Sequence, residues 1–365
     1  MPEIAVDARM IRASGIGSYL RHILPLLVSI KPDFTWHILG DTNDLQSESW
    51  AESDNIRLID CRSRVYSIAE QYALPGKIPR CDLLFSPHYV VPLPYRSPML
   101  VTIHDVFHLA EENQDKTMFR SAYARLMMSS ALNKAKRVMT DSRFTKDEMI
   151  KYNLPHTEKV RVVYLGVDLP EHRADHVDGR YLLYVGNVKP HKNIRRMIDA
   201  YKRLHEKRNI PLKIVGEADK FITGIPGLRE EVTDSAWGKW IEFTGWIEDD
   251  ELVKCYREAA ALILPSLYEG FGLPPLEAMT QGCPCLVSRA GSLPEICGDA
   301  ALYCNPYDIS DIADKMHRIL VDTELRNKLI TLGYQRARRY DWRSTVDAVL
   351  SIMEEILADA DCLRP

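Results

Sequence analysis

Thirteen short apolar runs, separated in several places by segments of helical periodicity, constrain this 365-residue chain more than any other feature. The first seven are "EIAVDA", "TWHILG", "IRLIDC", "DLLFSP", "MLVTIHD", "RVMTDS" and "VRVVYLG". Brief apolar runs bounded by turn residues suit strands covered on both faces, and a segment such as "GSYLRHILPLLVSI" supplies the crossover helix that parallel pairing requires. A polar stretch without apolar periodicity, "GVDLPEHRADHVDGR", then reads as a linker. The pattern restarts with "YLLYVG", "LKIVG", "WIEFTG", "AALILP", "PCLVSRA" and "AALYCNP". The alternation predicts an α/β chain of two Rossmann-like domains, 1–168 and 169–343, each with a parallel sheet. In the final segment, 344–365, Val346, Val349, Leu350, Met353 and Leu357 form one apolar helical face, which must pack on another element. Open α/β sheets bind ligands beyond the carboxyl ends of their strands, so a cleft between two facing sheets is the expected site.

Composition narrows the function classes. Hydrophobic residues make up 46% and charged residues 27%, ordinary values for a globular chain, and the net charge of −4 argues against a nucleic-acid partner. The best membrane-span candidate, "AAALILPSL", falls short of the roughly 18–20 apolar residues that a helix needs to cross a bilayer. The opening "MPEIAVDARM" enters a strand pattern without a charged-then-apolar leader, so no signal peptide is expected. Eight cysteines (Cys61, Cys81, Cys255, Cys283, Cys285, Cys297, Cys304, Cys362) lack a repeating spacing and read mostly as buried thiols in a reducing cytoplasm.

The stretch "YEGFGLPPLEAM" places Glu269 and Glu277 on either side of a Gly-X-Gly turn and a Pro pair. Proline suits a first helical turn, so a helix is expected to start near Pro274 or Pro275, with Glu269 in the preceding loop and Glu277 in the first turn. Gly270 and Gly272 let backbone N–H groups approach a ligand, and a helix start attracts anions. A diphosphate fits that pole, while two carboxylates beside it suit hydroxyl-rich groups at its ends; a nucleotide sugar has both. The plainer alternative is an acid-biased helix start in a βα unit.

On these residues the chain resembles the retaining glycosyltransferases of family four, which have the GT-B fold. The most specific element is "EGFGLPPLE", within "YREAAALILPSLYEGFGLPPLEAMTQGCPCLVS" and ahead of "AGSLPEICGDAALYCNP"; the resemblance covers nearly the whole chain. It implies that Glu269 contacts the transferred sugar, that amides of Phe271, Gly272 and Leu273 hold sugar and phosphate, and that Glu277 binds the ribose hydroxyls. It also makes the first domain the acceptor domain and the second the donor domain, with the last helix packing back on the first. In "YVGNVKPHKN", Lys192 matches the family's phosphate-binding lysine, and a fixed cation there stabilises a leaving diphosphate. Asn187 stands where the family often has Arg, and His191 likewise, so Lys189 is a candidate substitute; a solvated basic helix start is the bland alternative.

Four further segments carry weaker signals. "GIGSY" lies between the first strand and first helix. Gly15 and Gly17 match a loop that in the family lines the cleft, although a lone Gly-X-Gly is also an ordinary turn. In "TIHDVFH", His104 matches a family histidine that contacts the donor sugar; a metal reading of His104, Asp105 and His108 is disfavoured, because the segment reads as a strand end. In "FTGWIEDDELVKCYREA", Trp246 and Ile247 match the nucleotide-base region, whereas Asp250 and Glu251 read as a solvated helix start. "DAD" at Asp359–Asp361 is expected beyond the last helix and by chance. "MFRSAYARLMMSSALNKAKR" reads as a core helix with a solvated face, or as a basic amphipathic helix on anionic lipid.

The resemblance implies a hexosyltransferase that retains anomeric configuration, with GDP-mannose the expected donor and UDP-glucose the alternative. The expected acceptor is a glycan or lipid-linked hydroxyl in polysaccharide or lipopolysaccharide synthesis. His104, Lys192 and Glu269 are the expected catalytic residues; Gly15, Gly17, Asn187, Trp246, Ile247, Phe271, Gly272, Leu273 and Glu277 are the expected donor contacts. No metal or cofactor is expected, and the site of action is the cytoplasm, with association at the inner membrane face. A nucleotide-sugar epimerase, a phosphorylase or a weakly catalytic scaffold subunit on the same fold are the alternatives.

Overall fold

The computed structural model describes residues 1–365 except 68, 114–116, 171–178, 207, 218–224, 226 and 362–365. Part of the expected linker and Cys362 therefore lie outside the described residues. The described residues form two compact units, one within Met1–Leu109, Thr117–Gly166 and Trp342–Pro365, the other within Ala110–Lys116 and Val167–Asp341.

The first unit holds a seven-stranded sheet of β1 (Glu3–Asp7), β2 (Thr35–Gly40), β3 (Ile56–Asp60), β4 (Leu83–Ser86), β5 (Met99–Thr102), β6 (Arg137–Thr140) and β7 (Val160–Val162). Their order is β3-β2-β1-β4-β5-β6-β7, and every neighbouring pair is parallel. Strands β4 and β5 are buried at every position, as expected for a sheet covered on both faces. The order reverses between β1 and β4, which makes their carboxyl ends a topological switch point.

The second unit holds β8 (Tyr181–Val185), β9 (Leu212–Val215), β10 (Ile241–Gly245), β11 (Ala259–Leu264), β12 (Cys285–Ser288) and β13 (Ala301–Cys304). These are also parallel, in the order β10-β9-β8-β11-β12-β13, with the switch point between β8 and β11. Gly216, just past β9, has a φ of +137°, and a Cβ there would lie 2.2 Å from the carbonyl oxygen of Gly186. Only glycine lets these two strand ends run so close.

The last helix, Trp342–Asp361, belongs to the first unit and packs on that unit's first helix, Gly15–Ile30. It buries Val346, Val349, Leu350 and Met353 as the periodicity predicts, together with Ile352 and Ile356, while Leu357 is only half-buried. Trp342 stacks on His22 at 4.4 Å, and the Thr345 hydroxyl donates to the Tyr164 carbonyl at 2.8 Å. Asp359–Asp361 lie inside this helix, not beyond it, because its apolar face carries the helix farther than expected. The seven described cysteines are free thiols; burial pushes Cys283, Cys297 and Cys304 up to about 12.

Candidate functional site

At the β8–β11 switch point, two loops are stapled together. Beyond β8 the chain passes Gly186 and Asn187 and makes a single 3-10 turn, Pro190–Lys192, before the helix Ile194–His205. Asn193 adopts left-handed backbone, and its buried amide donates to the carbonyls of Pro265 and Pro306 at 3.0 and 2.6 Å. The His191 carbonyl accepts the Leu267 amide at 2.7 Å, and the Asn187 carbonyl accepts the Tyr184 hydroxyl at 3.3 Å. These bonds bring Lys192 against Glu269. Its ammonium donates to both carboxylate oxygens, at 2.8 and 2.7 Å, and Ser266 adds a third bond at 2.7 Å. The Glu269 side chain is 9% exposed and that of Lys192 21%, so this ion pair is sheltered from water without being sealed.

The loop carrying Glu269 is fixed from behind. The Ser292 hydroxyl donates to the Phe271 carbonyl at 2.6 Å and its backbone amide to the Glu269 carbonyl at 3.1 Å. At Gly291 a Cβ would meet the Glu269 amide nitrogen at 2.6 Å. Phe271 is buried edge-on to Tyr340, with ring centroids 5.8 Å apart. The next helix starts at Leu273, one residue before the expected Pro274, because Gly272 turns the chain at a φ of +106°. Glu277 consequently falls outside the first turn, contrary to the sequence expectation. The helix start has no side-chain cap, so amide groups at Gly272 and Leu273 remain the natural partners for an anion. Glu277 Oε2 accepts the hydroxyl of buried Tyr256 at 2.7 Å, which fixes the carboxylate one turn along the same helix.

Trp246 and Ile247 follow β10 on the same sheet edge; Trp246 is 64% exposed and Ile247 half-buried. Asp249, Asp250 and Glu251 form the exposed first turn of the helix Asp249–Glu258, as expected of a solvated helix start.

In the first unit, Gly15 and Gly17 are not in a loop before the first helix but are its opening residues. A Cβ at Gly17 would meet the Ile11 carbonyl oxygen at 2.5 Å, whereas Gly15 has open space around it. His104 follows β5. Its Nδ1 lies 2.7 Å from Asp141 Oδ2 and its Nε2 3.0 Å from the Pro87 carbonyl oxygen, and its ring meets Tyr19 edge-on at 5.1 Å. Two oxygen acceptors satisfy both ring nitrogens only when each carries a proton. Burial opposes that cation, but the Asp141 carboxylate, with help from Asp105 and Pro87, raises the His104 pKa above its ordinary value. Burial also raises the pKa of Asp141, partly offset by His104.

A second charged group lies at the β1–β4 switch point. Arg9 forms a fork on Asp7 at 2.8 and 2.7 Å and reaches Glu70 at 3.0 Å, while His88 Nε2 lies 3.1 Å from Asp7 Oδ2. All four side chains are no more than 2% exposed. Burial works against the Asp7 carboxylate, yet the bonds from Arg9 and His88 hold it below the usual carboxylate range. Sequence reasoning passed over Asp7, Arg9, Glu70, His88, Asp141, Asn193, Ser266, Ser292 and Tyr256. A charged residue one or two places beyond an apolar run, as at Asp7 and Asp141, is the available signal for two of them.

Two family descriptions match this chain: Glycosyltransferase Family 4 over residues 32–171 and Glycosyl transferases group 1 over residues 170–336. The chain is 29% identical over 272 residues to the O-antigen chain mannosyltransferase B of Escherichia coli, covering 69% of each protein. It is 29% identical over 228 residues to the O-antigen chain mannosyltransferase RfbU of Salmonella typhimurium, covering 62% of this chain and 61% of that one. Among solved structures, the sucrose-phosphate synthase of Thermosynechococcus elongatus superposes with a TM-score of 0.79 over 98% of this chain and all of that one. At 19% identity, that is a likeness of fold.

Proposed function

Because the chain belongs to the glycosyltransferases, with a Family 4 domain ahead of a group 1 domain on two Rossmann-like units of GT-B type, we propose that it transfers mannose from GDP-mannose. The acceptor is a hydroxyl of a glycan or lipid-linked saccharide in the assembly of a cell-surface polysaccharide, and the transfer keeps the anomeric configuration. The observation that carries the reading is the Lys192–Glu269 pair beside an uncapped helix start at the β8–β11 switch point. The mannose comes from the names of the two relatives.

In this reading the diphosphate lies over the start of the helix Leu273–Thr280, where the Phe271, Gly272 and Leu273 amides and the helix dipole meet its charge. Lys192 exchanges part of its contact with Glu269 for a phosphate oxygen, and Glu269 turns to the hexose hydroxyls. Glu277, steadied by Tyr256, takes the ribose hydroxyls. The bond from the anomeric carbon to the β-phosphate oxygen breaks as the acceptor oxygen bonds that carbon on the same face. The acceptor's proton passes to the departing phosphate oxygen. Lys192 and the helix start stabilise the charge that develops there, so the reaction proceeds without a metal ion.

Among the described residues no helix is long and apolar enough to cross a membrane. We place the enzyme at the cytoplasmic face of a membrane, held by the helix Met118–Lys134. That helix buries Ala124, Met127, Met128, Ala131 and Leu132 and leaves Met118 and Phe119 88% and 77% exposed beside Arg120.

A thermal-shift panel of GDP, GDP-mannose, UDP and UDP-glucose, with and without EDTA, tests the donor. At about 100 times its dissociation constant, a ligand adds about 2.7 kcal/mol of stability. The guanine pair should raise the melting temperature, undiminished by EDTA; a response to the uracil pair alone would move the assignment to UDP-glucose, and no response to any would refute it.

A further inference from the structure

Asn193 opens the helix Ile194–His205, where an asparagine ordinarily accepts a bond from a first-turn amide. This one makes no such cap. Its backbone is left-handed, at a φ of +61°, a conformation that asparagine tolerates better than most residues other than glycine, and its carbonyl takes the Met197 amide at 3.1 Å. The side chain is committed elsewhere. Its Nδ2 donates to the carbonyls of Pro265 and Pro306, at 3.0 and 2.6 Å, and its Oδ1 accepts the Arg196 guanidinium at 3.0 Å. Carbonyls only accept and a guanidinium only donates, so a single orientation of the amide satisfies these partners.

These bonds gather separate strand ends. Asn193 comes after β8, Pro265 directly after β11 and Pro306 just after β13, with β12 lying between the last two. They also close into a ring: Tyr307, next to Pro306, lies under the Arg196 guanidinium at 5.7 Å, and Arg196 returns to Asn193. Asn193 is the chain neighbour of Lys192, and Pro265 that of Ser266, whose hydroxyl donates to Glu269 at 2.7 Å. Both members of the Lys192–Glu269 pair therefore depend on one buried amide. With 4% of its surface exposed, Asn193 is out of reach of a ligand and acts through the residues beside it.

We infer that Asn193 is a positioning residue of the transfer, whose amide holds Lys192 and Glu269 at the separation at which one ammonium serves a carboxylate and a phosphate oxygen in turn. Displacement by about 1 Å is enough to weaken a catalytic contact severely. This role rests on the transferase reading above and adds a residue to its site. It requires that Asn193 matter to a diphosphate only while Lys192 is present, whereas an amide that merely held the fold together would matter without it.

A double-mutant cycle separates the two. Calorimetric titrations with GDP and with UDP at fixed salt, and melting temperatures, are measured for wild type, Asn193→Gly, Lys192→Met and the double variant. Glycine keeps the left-handed backbone and deletes the amide. Lys192→Met should weaken nucleotide binding about tenfold or more, and Asn193→Gly about five- to tenfold, with melting only a few degrees lower. The double variant should bind within about twofold of Lys192→Met, because the ammonium that Asn193 positions is gone. Should Asn193→Gly fail to fold, Arg196→Met frees Oδ1 and leaves both carbonyls held; its expected loss is about threefold, again absent without Lys192. A loss that persists undiminished in the Lys192→Met background, or full affinity in Asn193→Gly, refutes the positioning role alone. Binding of neither nucleotide by wild type refutes the transferase reading, and this role falls with it.

Discussion

His104 shows how much of a site is settled by single partners. Because its folded pKa is raised, the cationic form adds stability that is fully present below the unfolded value of about 6.5 and is lost as pH rises through the folded value. Asp141, whose pKa is also raised, acts lower on the scale, losing stability as pH climbs from about 4. Urea midpoints should therefore fall as pH rises above about 6.5, and Asp141→Asn should flatten that slope. An unchanged slope would mean that the pair does not titrate as described. His104 was legible in the sequence because it ends an apolar run; Asp141 was not, because its nearness depends on β5 and β6 being neighbours. The same holds for Lys192 and Glu269, which were assigned separate partners from the sequence and are bonded to each other in the structure. Chain distance hides such pairs, and Tyr256 behind Glu277 is another.

Among the elements, all thirteen apolar runs correspond to strands, since a strand buried on both faces needs little beyond a brief apolar run and a turn. Helix starts were less legible. The Pro pair placed the second-unit helix near Pro274, but the positive φ of Gly272 starts it at Leu273 and carries Glu277 out of the first turn. The helix Met118–Lys134 has the core side that the sequence predicts. One side is core, and the other shows Phe119 and Leu126, 77% and 57% exposed and two turns apart, with Arg120 and Arg125 exposed nearby. Sedimentation with anionic phospholipid vesicles should show binding that falls with added salt, and the double substitution Phe119→Ser, Leu126→Ser should weaken it about tenfold or more. Equal binding by the double variant, or none by wild type at low salt, would remove this helix as the anchor.

At the scale of the molecule, the strand orders explain where chemistry gathers. The strand order of each sheet reverses once, at β1–β4 and at β8–β11, and each reversal carries an ionic group on its carboxyl edge, buried in the first and partly sheltered in the second. The alternation of runs made the sheets legible in the sequence, but strand order depends on long-range pairing, so Asp7, Arg9, Glu70 and His88 could not be seen as one group. The central claim is that the β8–β11 edge grips a nucleoside diphosphate sugar, with Glu277 on the nucleotide and Glu269 on the transferred hexose. Calorimetric titration of GDP-mannose into wild type, Glu277→Ala and Glu269→Ala, with turnover measured on the same samples, tests it most directly. Glu277→Ala should weaken donor binding about tenfold or more, as expected for loss of a charge-assisted hydrogen bond, while Glu269→Ala should mainly slow transfer. Donor affinity and turnover that match wild type in both variants would contradict it.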